Sequence, residues 1–133
     1  MIIVVDSGIW ISAIEFGGTP AAALEQVFQA DDLAICSEIE HEVLRVLHDK
    51  FGRNPQMIRE KLRPFLNEAV RVEITGEIAG VCRDPNDDCI VECAVKANAQ
   101  LIMAGDKDLL SLRAYQGIRV VTARQYLDSS TAH

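Results

Sequence analysis

The sequence predicts an α/β domain in which helices cover both faces of a five-stranded parallel sheet. Five short runs of apolar and β-branched residues have the length and composition of buried strands. Helical patterns with start and stop signals separate these runs, and this alternation is typical of parallel sheets. The chain has 133 residues and is 49% hydrophobic, which suits one domain with a sizeable core. The predicted strands are Ile2–Val5, Leu33–Cys36, Val70–Ile74, Leu101–Ala104 and Ile118–Val121.

Glycine and proline mark the first two helices. The first helix follows the first strand and is expected to stop at Gly17 and Gly18, since glycine commonly ends helices. The pair Thr19 and Pro20 then begins a second helix, which is expected to run to about Ala30. These two helices connect the first predicted strand to the second.

A third helix is predicted directly after the second strand. Ser37 and Glu40 have the spacing of a capping box, in which two side chains bond to each other's backbone N–H groups. Ile39, Val43 and Leu47 recur at helical spacing and are expected to pack on the sheet. The capping box explains Glu40 without any further function.

Three more helices have recognisable first residues. In the first of them, Pro64 is expected to end or kink the helix, because proline lacks the N–H group of the helical hydrogen bond. The second leads into the fourth strand, and the third ends the domain. The start signals are Asn54-Pro55, Asp84-Pro85 and the capping-box pair Thr122 and Gln125.

Composition indicates a reduced, cytoplasmic protein. One domain is expected over residues 1–128, followed by a disordered tail at residues 129–133. No apolar stretch is long enough to cross a membrane, and the N-terminus lacks the pattern of a secretory signal. The four cysteines have neither a disulfide-framework spacing nor a zinc-knuckle spacing, so we expect reduced thiols.

The distribution of charge is uneven. The formal net charge of −7 argues against a protein that coats nucleic acid nonspecifically. Residues 43–66 nevertheless contain six basic residues against two acidic ones, and Arg45 and Arg53 are among them. This segment is either a solvated helix face or a place where a polyanion backbone could bind.

Acidic side chains follow the predicted carboxyl ends of the strands. Asp6 comes directly after the first strand, and Asp106 and Asp108 come after the fourth. Sites in open parallel sheets form outside these ends of the strands. Glu42 lies beyond the predicted capping box, so helix capping does not explain it. Asp87 lies at the start of the fifth helix, where the helix dipole alone could favour an acid.

Taken together, these acids favour a cation site. Singly, each has a structural explanation: Asp106 could cap a short helix, and Asp88 is expected to face solvent. Converging carboxylates would repel one another by about 4 kcal/mol per close pair at an intermediate dielectric. A hard cation such as Mg²⁺ or Mn²⁺ removes that repulsion and prefers oxygen ligands. The cysteines and the histidine of the acidic motifs lack zinc-knuckle spacing, which argues against zinc.

Four motifs occur in order from Met1 to about Leu127. They are IIVVDSGIWISAI, CSEIEHEVLRVL, RDPNDDCIVECAVKANAQLIMAGDKDLL and IRVVTARQYL. Together they resemble a bacterial PIN domain, and most closely the branch of ribonuclease toxins from toxin–antitoxin pairs.

The resemblance implies a three-layer α/β/α fold with strand order 3-2-1-4-5. It also implies a ribonuclease that uses Mg²⁺ or Mn²⁺ to hydrolyse RNA phosphodiester bonds. An RNA substrate, a cognate antitoxin protein and a homodimer are the implied partners. The implied catalytic residues and metal ligands are Asp6, Glu42, Asp87 and Asp106, with Asp108 as a further metal ligand and Ser7 as a supporting hydroxyl.

Two positions depart from the family pattern, and one alternative function stays open. Gly8 stands where an asparagine is common, and Ala104 replaces a threonine or serine. Gly8 also excludes a haloacid-dehalogenase-like site, which needs a second aspartate there. The alternative is a non-catalytic PIN-like module that binds RNA or a protein.

Overall fold

The chain folds into one sheet with helices on both faces. The computed structural model describes residues 1–131, and for residues 130 and 131 the backbone alone. The strands are β1 (Ile2–Val5), β2 (Asp32–Cys36), β3 (Val70–Val72), β4 (Leu101–Met103), β5 (Ala114–Tyr115) and β6 (Ile118–Val121). The helices are α1 (Ser7–Phe16), α2 (Gly18–Ala30), α3 (Ser37–Asp49), α4 (Pro55–Glu68), α5 (Asp88–Lys96), α6 (Lys107–Leu112) and α7 (Ala123–Thr131), with a 3-10 turn at Pro85–Asp87.

The sheet confirms the predicted α/β class and strand order, with one added strand. The observed order is β3-β2-β1-β4-β6-β5, and every pair is parallel except β5 with β6. The five parallel strands therefore stand in the expected order 3-2-1-4-5. The expected count of five is wrong, because β5 pairs with β6 through a two-residue hairpin. Gln116 and Gly117 both have positive φ there, as a type I′ turn requires.

Several predicted helix starts are confirmed by hydrogen bonds. The Asn54 side chain accepts a bond from the Gln56 N–H at 2.8 Å. Thr122 and Gln125 bond to each other's backbone N–H groups at 3.0 and 2.9 Å, so their capping box is present. Asp84 likewise accepts a bond from the Asn86 N–H at 3.0 Å, although it caps a 3-10 turn rather than α5 itself.

The predicted capping box of α3 is wrong. This helix already includes Ser37 as its first residue, with Cys36 at the cap position and no side-chain cap bond. Glu40 instead accepts a hydrogen bond from the Arg71 guanidinium at 3.0 Å, which ties α3 to β3. The strand therefore runs directly into the helix without an intervening cap residue.

Other helix boundaries also differ from expectation. Helix α2 begins at Gly18, two residues before Pro20, because Gly17 adopts the positive φ that separates it from α1. Helix α4 continues through Pro64 to Glu68. Helix α7 continues to Thr131, beyond the predicted domain end at residue 128. Residues 132 and 133 of the predicted tail lie outside the described part of the chain.

The core lies between the sheet and its helices. Ile3, Val4 and Val5 have no exposed surface, as expected for a central strand covered on both faces. Trp10 is 1% exposed, and its indole N–H donates to the Val5 carbonyl at 3.2 Å. Its ring packs edge-on against Phe65, so this tryptophan is a core residue. No helix among residues 1–131 is both long and apolar enough to cross a bilayer.

Two buried carboxylates of α5 organise the long connection between β3 and α5. Asp88 accepts bonds from the N–H groups of Gly80 and Cys82 at 3.0 and 2.8 Å, so the expectation that it faces solvent is wrong. Glu92, one turn later and 1% exposed, accepts bonds from the N–H groups of Thr75 at 2.7 Å and Gly76 at 3.1 Å. The backbone N–H groups of this irregular segment thus donate to carboxylates, whereas those of a sheet donate to backbone carbonyls.

The charge on Glu92 is strongly favoured. Burial by itself would raise its pKa, but the N–H donors at Thr75 and Ile78 and the Lys96 ammonium, 3.1 Å away, outweigh burial and hold the pKa at about 2. Because that pKa is lower than the ordinary value of 4.5, this carboxylate stabilises the fold above pH 4.5. The stabilisation is lost as the pH falls toward 2.

Replacing Glu92 by Gln is expected to lower the free energy of unfolding at pH 7 by about 2 kcal/mol, since bonds to a charged acceptor are the stronger ones. Urea unfolding between pH 2 and pH 7 measures this difference, which should shrink as the pH falls through the window below 4.5. Glu77→Gln is the matched control. Glu77 lies 3.7 Å from the same ammonium, but its side chain is 68% exposed, so its loss should change the stability little. A Glu92→Gln deficit that does not change with pH would contradict the account.

Candidate active site

Strand register brings the predicted acidic segments to one edge of the sheet. Val5 pairs with Met103, and Met103 pairs with Val121, so β1, β4 and β6 end together. The pairing continues past the strands, because the Asp6 N–H donates to the Met103 carbonyl at 2.9 Å. Helix α5 leads into the parallel strand β4 from this same edge, which places its first turn beside the strand ends. Asp6, Asp106 and the start of α5 therefore meet.

Asp6 is a buried carboxylate with no capping function. It occupies the cap position of α1, yet its side chain forms no cap hydrogen bond, and it is 5% exposed. Burial raises its pKa from 3.8 to about 6, and the charges of Glu42 and Asp106 add to this effect, while bonds from Ser7 oppose it. Capping of α1 therefore does not explain this acid.

Ser7 connects two of the predicted site residues. Its hydroxyl donates to Glu42 Oε2 at 2.8 Å and lies 3.4 Å from Asp6 Oδ1. Ser7 is buried at the start of α1, whereas Glu42 lies in the second turn of α3 with a side chain 45% exposed. This contact joins the ends of β1 and β2 and holds Glu42 beside Asp6.

Asp87 has an unsatisfied buried oxygen. The residue is 8% exposed, and its Oδ2 has no hydrogen-bond partner among the described residues. Burial raises its pKa, as do a hydrogen bond with Asp106 and the charges of Asp106 and Asp6. An orphaned carboxylate oxygen beside two other carboxylates is a poor arrangement without a proton or a cation.

Asp106 and Asp108 have different surroundings. Asp106 caps α6 by accepting a bond from the Asp108 N–H at 3.3 Å, which confirms its predicted capping role, and it also contacts Asp87. The carboxylate of Asp108 lies 3.8 Å from the exposed Arg83 guanidinium. The structure therefore brings Asp6, Asp87 and Asp106 together and joins Asp108 to a surface arginine.

The two departures from the family pattern lie at this edge. A Cβ added at Gly8 would stand 3.6 Å from Asp6 Oδ2, an ordinary contact distance, so glycine leaves that carboxylate uncovered without being sterically required. Ala104 is fully buried, and its N–H bonds to the Val121 carbonyl at 2.9 Å. Neither position therefore places a polar side chain beside the acids.

The position of Asp87 depends on residues that sequence reasoning missed. Asp88 and Glu92 anchor α5 to the preceding loop through buried hydrogen bonds, and Asp87 immediately precedes that helix. Asp88 and Glu92 share one helical face at i and i+4, but that spacing is the same for a buried face and a solvated one, so the sequence offers no local signal for their burial.

The donor set fits a hard divalent cation in kind. Among residues 1–131, no group of three or more His, Cys, Asp or Glu side chains forms a ready-made metal cage. Mg²⁺ does not need one, because it keeps several waters and commonly uses one or two carboxylates together with substrate phosphates. Asp6 and Asp87 supply such oxygens, and the unpartnered Oδ2 of Asp87 is the atom that most needs a positive neighbour.

Comparison with known proteins agrees with this architecture. The family model described as PIN domain matches residues 2–108. The chain belongs to the PIN-domain family. An uncharacterized protein of Methanocaldococcus jannaschii is 31% identical over 117 residues, which cover 84% of this chain and 74% of that protein.

A solved structure has the same PIN fold. It is VapBC2 from Rickettsia felis bound to a DNA fragment from its promoter, and it superposes with a TM-score of 0.66. The alignment covers 92% of this PIN-domain chain and 98% of that chain, at 18% sequence identity. At that identity the likeness concerns the fold.

Asp6→Asn is expected to stabilise the protein at pH 8 when a chelator removes divalent ions. The folded-state pKa of about 6 exceeds the ordinary 3.8, so the stability of the wild type falls as the pH rises from 4 to 6. The asparagine variant does not acquire that charge and should gain on the order of 2 kcal/mol at pH 8.

Denaturant unfolding at pH 4 and pH 8 measures this gain, with Asp32→Asn, an exposed aspartate at the far end of β2, as the control. An Asp6→Asn variant that is less stable than the wild type at both pH values would show that Asp6 is a structural residue.

Proposed function

We propose that the protein is a metal-dependent endoribonuclease that hydrolyses RNA phosphodiester bonds at the carboxyl edge of its sheet. The observation that carries this proposal is the meeting of Asp6 and Asp87, two buried carboxylates with raised pKa values, beside Asp106. Membership in the PIN-domain family supports it. A purely structural carboxylate would have its hydrogen bonds satisfied, as Glu92 does.

Four carboxylates are proposed to hold one or two Mg²⁺ or Mn²⁺ ions. They are Asp6, Glu42, Asp87 and Asp106, with Asp108 as an outer contributor. A divalent ion supplies Lewis-acid stabilisation of the negative charge that develops on a phosphodiester during hydrolysis. The net charge of −7 is compatible with an RNA substrate because bound cations reverse the sign of the local field.

The chain's own groups orient these carboxylates and the attacking water. Ser7 fixes Glu42 through its 2.8 Å hydrogen bond and leaves the second carboxylate oxygen of Glu42 available. Oδ2 of Asp87 can accept a hydrogen bond from the water that attacks phosphorus, since it has no partner among the described residues. The pairing of β1 with β4 fixes Asp6 relative to Asp106 throughout.

Glu42→Gln is expected to reduce cleavage of single-stranded RNA in Mg²⁺ or Mn²⁺ by at least about 100-fold. The loss of a residue that merely supports a metal ligand can already cost about that much, and Glu42 is a proposed ligand itself. Glu40→Gln is the matched control: it changes the same residue type on the same helix, but its carboxylate binds Arg71. Initial rates on a labelled RNA measure the difference, and equal rates for both variants would refute the site.

The alternative function is a PIN-like module that binds RNA or protein without cutting. Titration with Mn²⁺, followed by calorimetry and by RNA cleavage in the same samples, separates the two. Metal binding at the site without RNA turnover would favour the module.

We further propose that the nuclease is the toxin of a toxin–antitoxin pair and acts in the cytoplasm. An apolar groove of about 270 Å³ between α1, α2 and α4 supports a protein partner. Ile14, Leu24 and Phe65 contribute to its walls, while Lys61 and Glu25 contribute charged groups. A homodimer stays a prediction, which light scattering of the full chain would test.

Expression of the wild-type chain in bacteria is expected to arrest growth, and Asp6→Asn is expected to abolish the arrest because it removes a proposed metal ligand. Co-expression of a small reading frame adjacent to the gene should restore growth if it encodes the antitoxin. Colony counts after induction give the measurement. Arrest of equal strength by the Asp6→Asn variant would show that the toxicity does not depend on RNA hydrolysis at this site.

A further inference from the structure

A cavity of about 370 Å³ lies beside the proposed catalytic edge, between α3 and the 3-10 turn that precedes α5. Of the proposed site residues, Glu42 forms part of its wall, and the wall residue Asn86 directly precedes Asp87 in the chain. His41 and Arg45 line it from α3, while Pro85 and Asn86 line it from the turn. Its volume is in the range of pockets that hold small ligands.

Arg45 is the arginine of the basic segment that stands at this cavity. Its side chain is 63% exposed, and its guanidinium is 3.8 Å from Glu42 Oε1, which is too far for a hydrogen bond. The donors of Arg45 therefore remain available to a ligand. Arg53, in contrast, donates two hydrogen bonds to Glu15, so its guanidinium is already engaged within the protein.

Four of the lining residues match the parts of a nucleotide, and the remaining lining is Glu38, Glu42 and Cys89. A guanidinium binds phosphate oxygens in a bidentate manner, and Arg45 has the exposed planar group for this contact. The ring of His41 and the apolar face of Pro85 are surfaces on which a nucleobase can stack. The Asn86 carboxamide offers a donor and an acceptor to a base edge.

We propose that this cavity binds one nucleotide of single-stranded RNA, with Arg45 contacting a backbone phosphate adjacent to the cleaved one. The inference rests on the proposed nuclease function and assigns its substrate contact. A base must leave its stack to enter the cavity, which single strands allow and duplexes resist. A cation held by Glu42 would weaken the attraction between Glu42 and Arg45 and would leave the guanidinium free for the phosphate.

The test is RNA binding by the full chain as a function of salt. Fluorescence anisotropy of a labelled single-stranded RNA is measured with Ca²⁺ in place of Mg²⁺, and a denaturing gel verifies that the RNA stays intact. Arg45→Gln is expected to weaken binding about five- to tenfold and to reduce the slope of log K against log salt by about 0.7, the value for one phosphate contact on a single strand.

Arg59→Gln is the matched control. It removes the same charge from an exposed position of the same basic segment, on α4 rather than at the cavity, and should leave the slope unchanged. Arg45→Lys should keep the slope but lose part of the affinity, since lysine retains the charge without the planar fork.

The outcomes separate this inference from the nuclease proposal. A slope that changes equally for Arg45→Gln and Arg59→Gln, or a wild-type chain that does not bind the RNA, would overturn the nucleotide site. RNA cleavage by the wild type in Mg²⁺ or Mn²⁺ is measured in a separate assay, which tests the nuclease proposal alone. Binding that depends on Arg45 without any cleavage would refute the nuclease and keep the nucleotide site.

Discussion

The parallel pairing of β1 with β4 is the constraint on which the rest of the molecule depends. It sets Val5 opposite Met103 and therefore Asp6 beside the turn that carries Asp106. A slip of one residue would draw the Asp6 carboxylate into the ladder and reverse the faces of the fully buried Val4 and Val5. Burying an unpaired charge in a sheet is costly enough to exclude that register. The apolar strand thus fixes both the core and the site.

The same constraint concentrates negative charge at one edge, and other parts of the chain keep it there. Asp87 stands next to Asp6 and Asp106 because α5 begins at that edge. The hydrogen bonds of Asp88 and Glu92 stabilise this placement, since they tie the irregular loop to α5. Two kinds of buried carboxylate therefore lie side by side in the chain, since Asp87 directly precedes Asp88. One kind has its hydrogen bonds satisfied and favours the charged state, while the other is crowded and retains a proton more readily.

Much of the fold followed from the sequence because its signals are local. Five strands were recognisable from their apolar runs, and the start of α4 followed from Asn54, whose cap bond involves a neighbour two residues away. The start of α3 was misjudged because Glu40 prefers Arg71, a residue 31 positions away. Asp88 was misassigned because its partners are N–H groups of an irregular loop, whose path has no periodic pattern in the sequence. Strand β5 is only two residues long, which is too short for a pattern.

The residues of the candidate site differ in how much of their placement could be predicted from the sequence. The placement of Asp6 and Asp106 followed from strand ends, since parallel strands share an edge. The proximity of Ser7 and Glu42 depends on how α1 meets α3, which spacing along the chain does not reveal. The sequence likewise did not reveal that Arg53 is paired while Arg45 has available donors, because this depends on where Glu15 lies in the fold. Side-chain neighbours across helices come from tertiary packing.

Diffraction from crystals of the full chain soaked in Mn²⁺ gives the most direct test of the central claim that this edge is a cation site. We expect an anomalous peak among the carboxylates of Asp6, Asp87 and Asp106, and we expect it to be absent in Asp6→Asn crystals of the same form. A manganese peak only elsewhere on the protein, or one that persists unchanged in the variant, would contradict it.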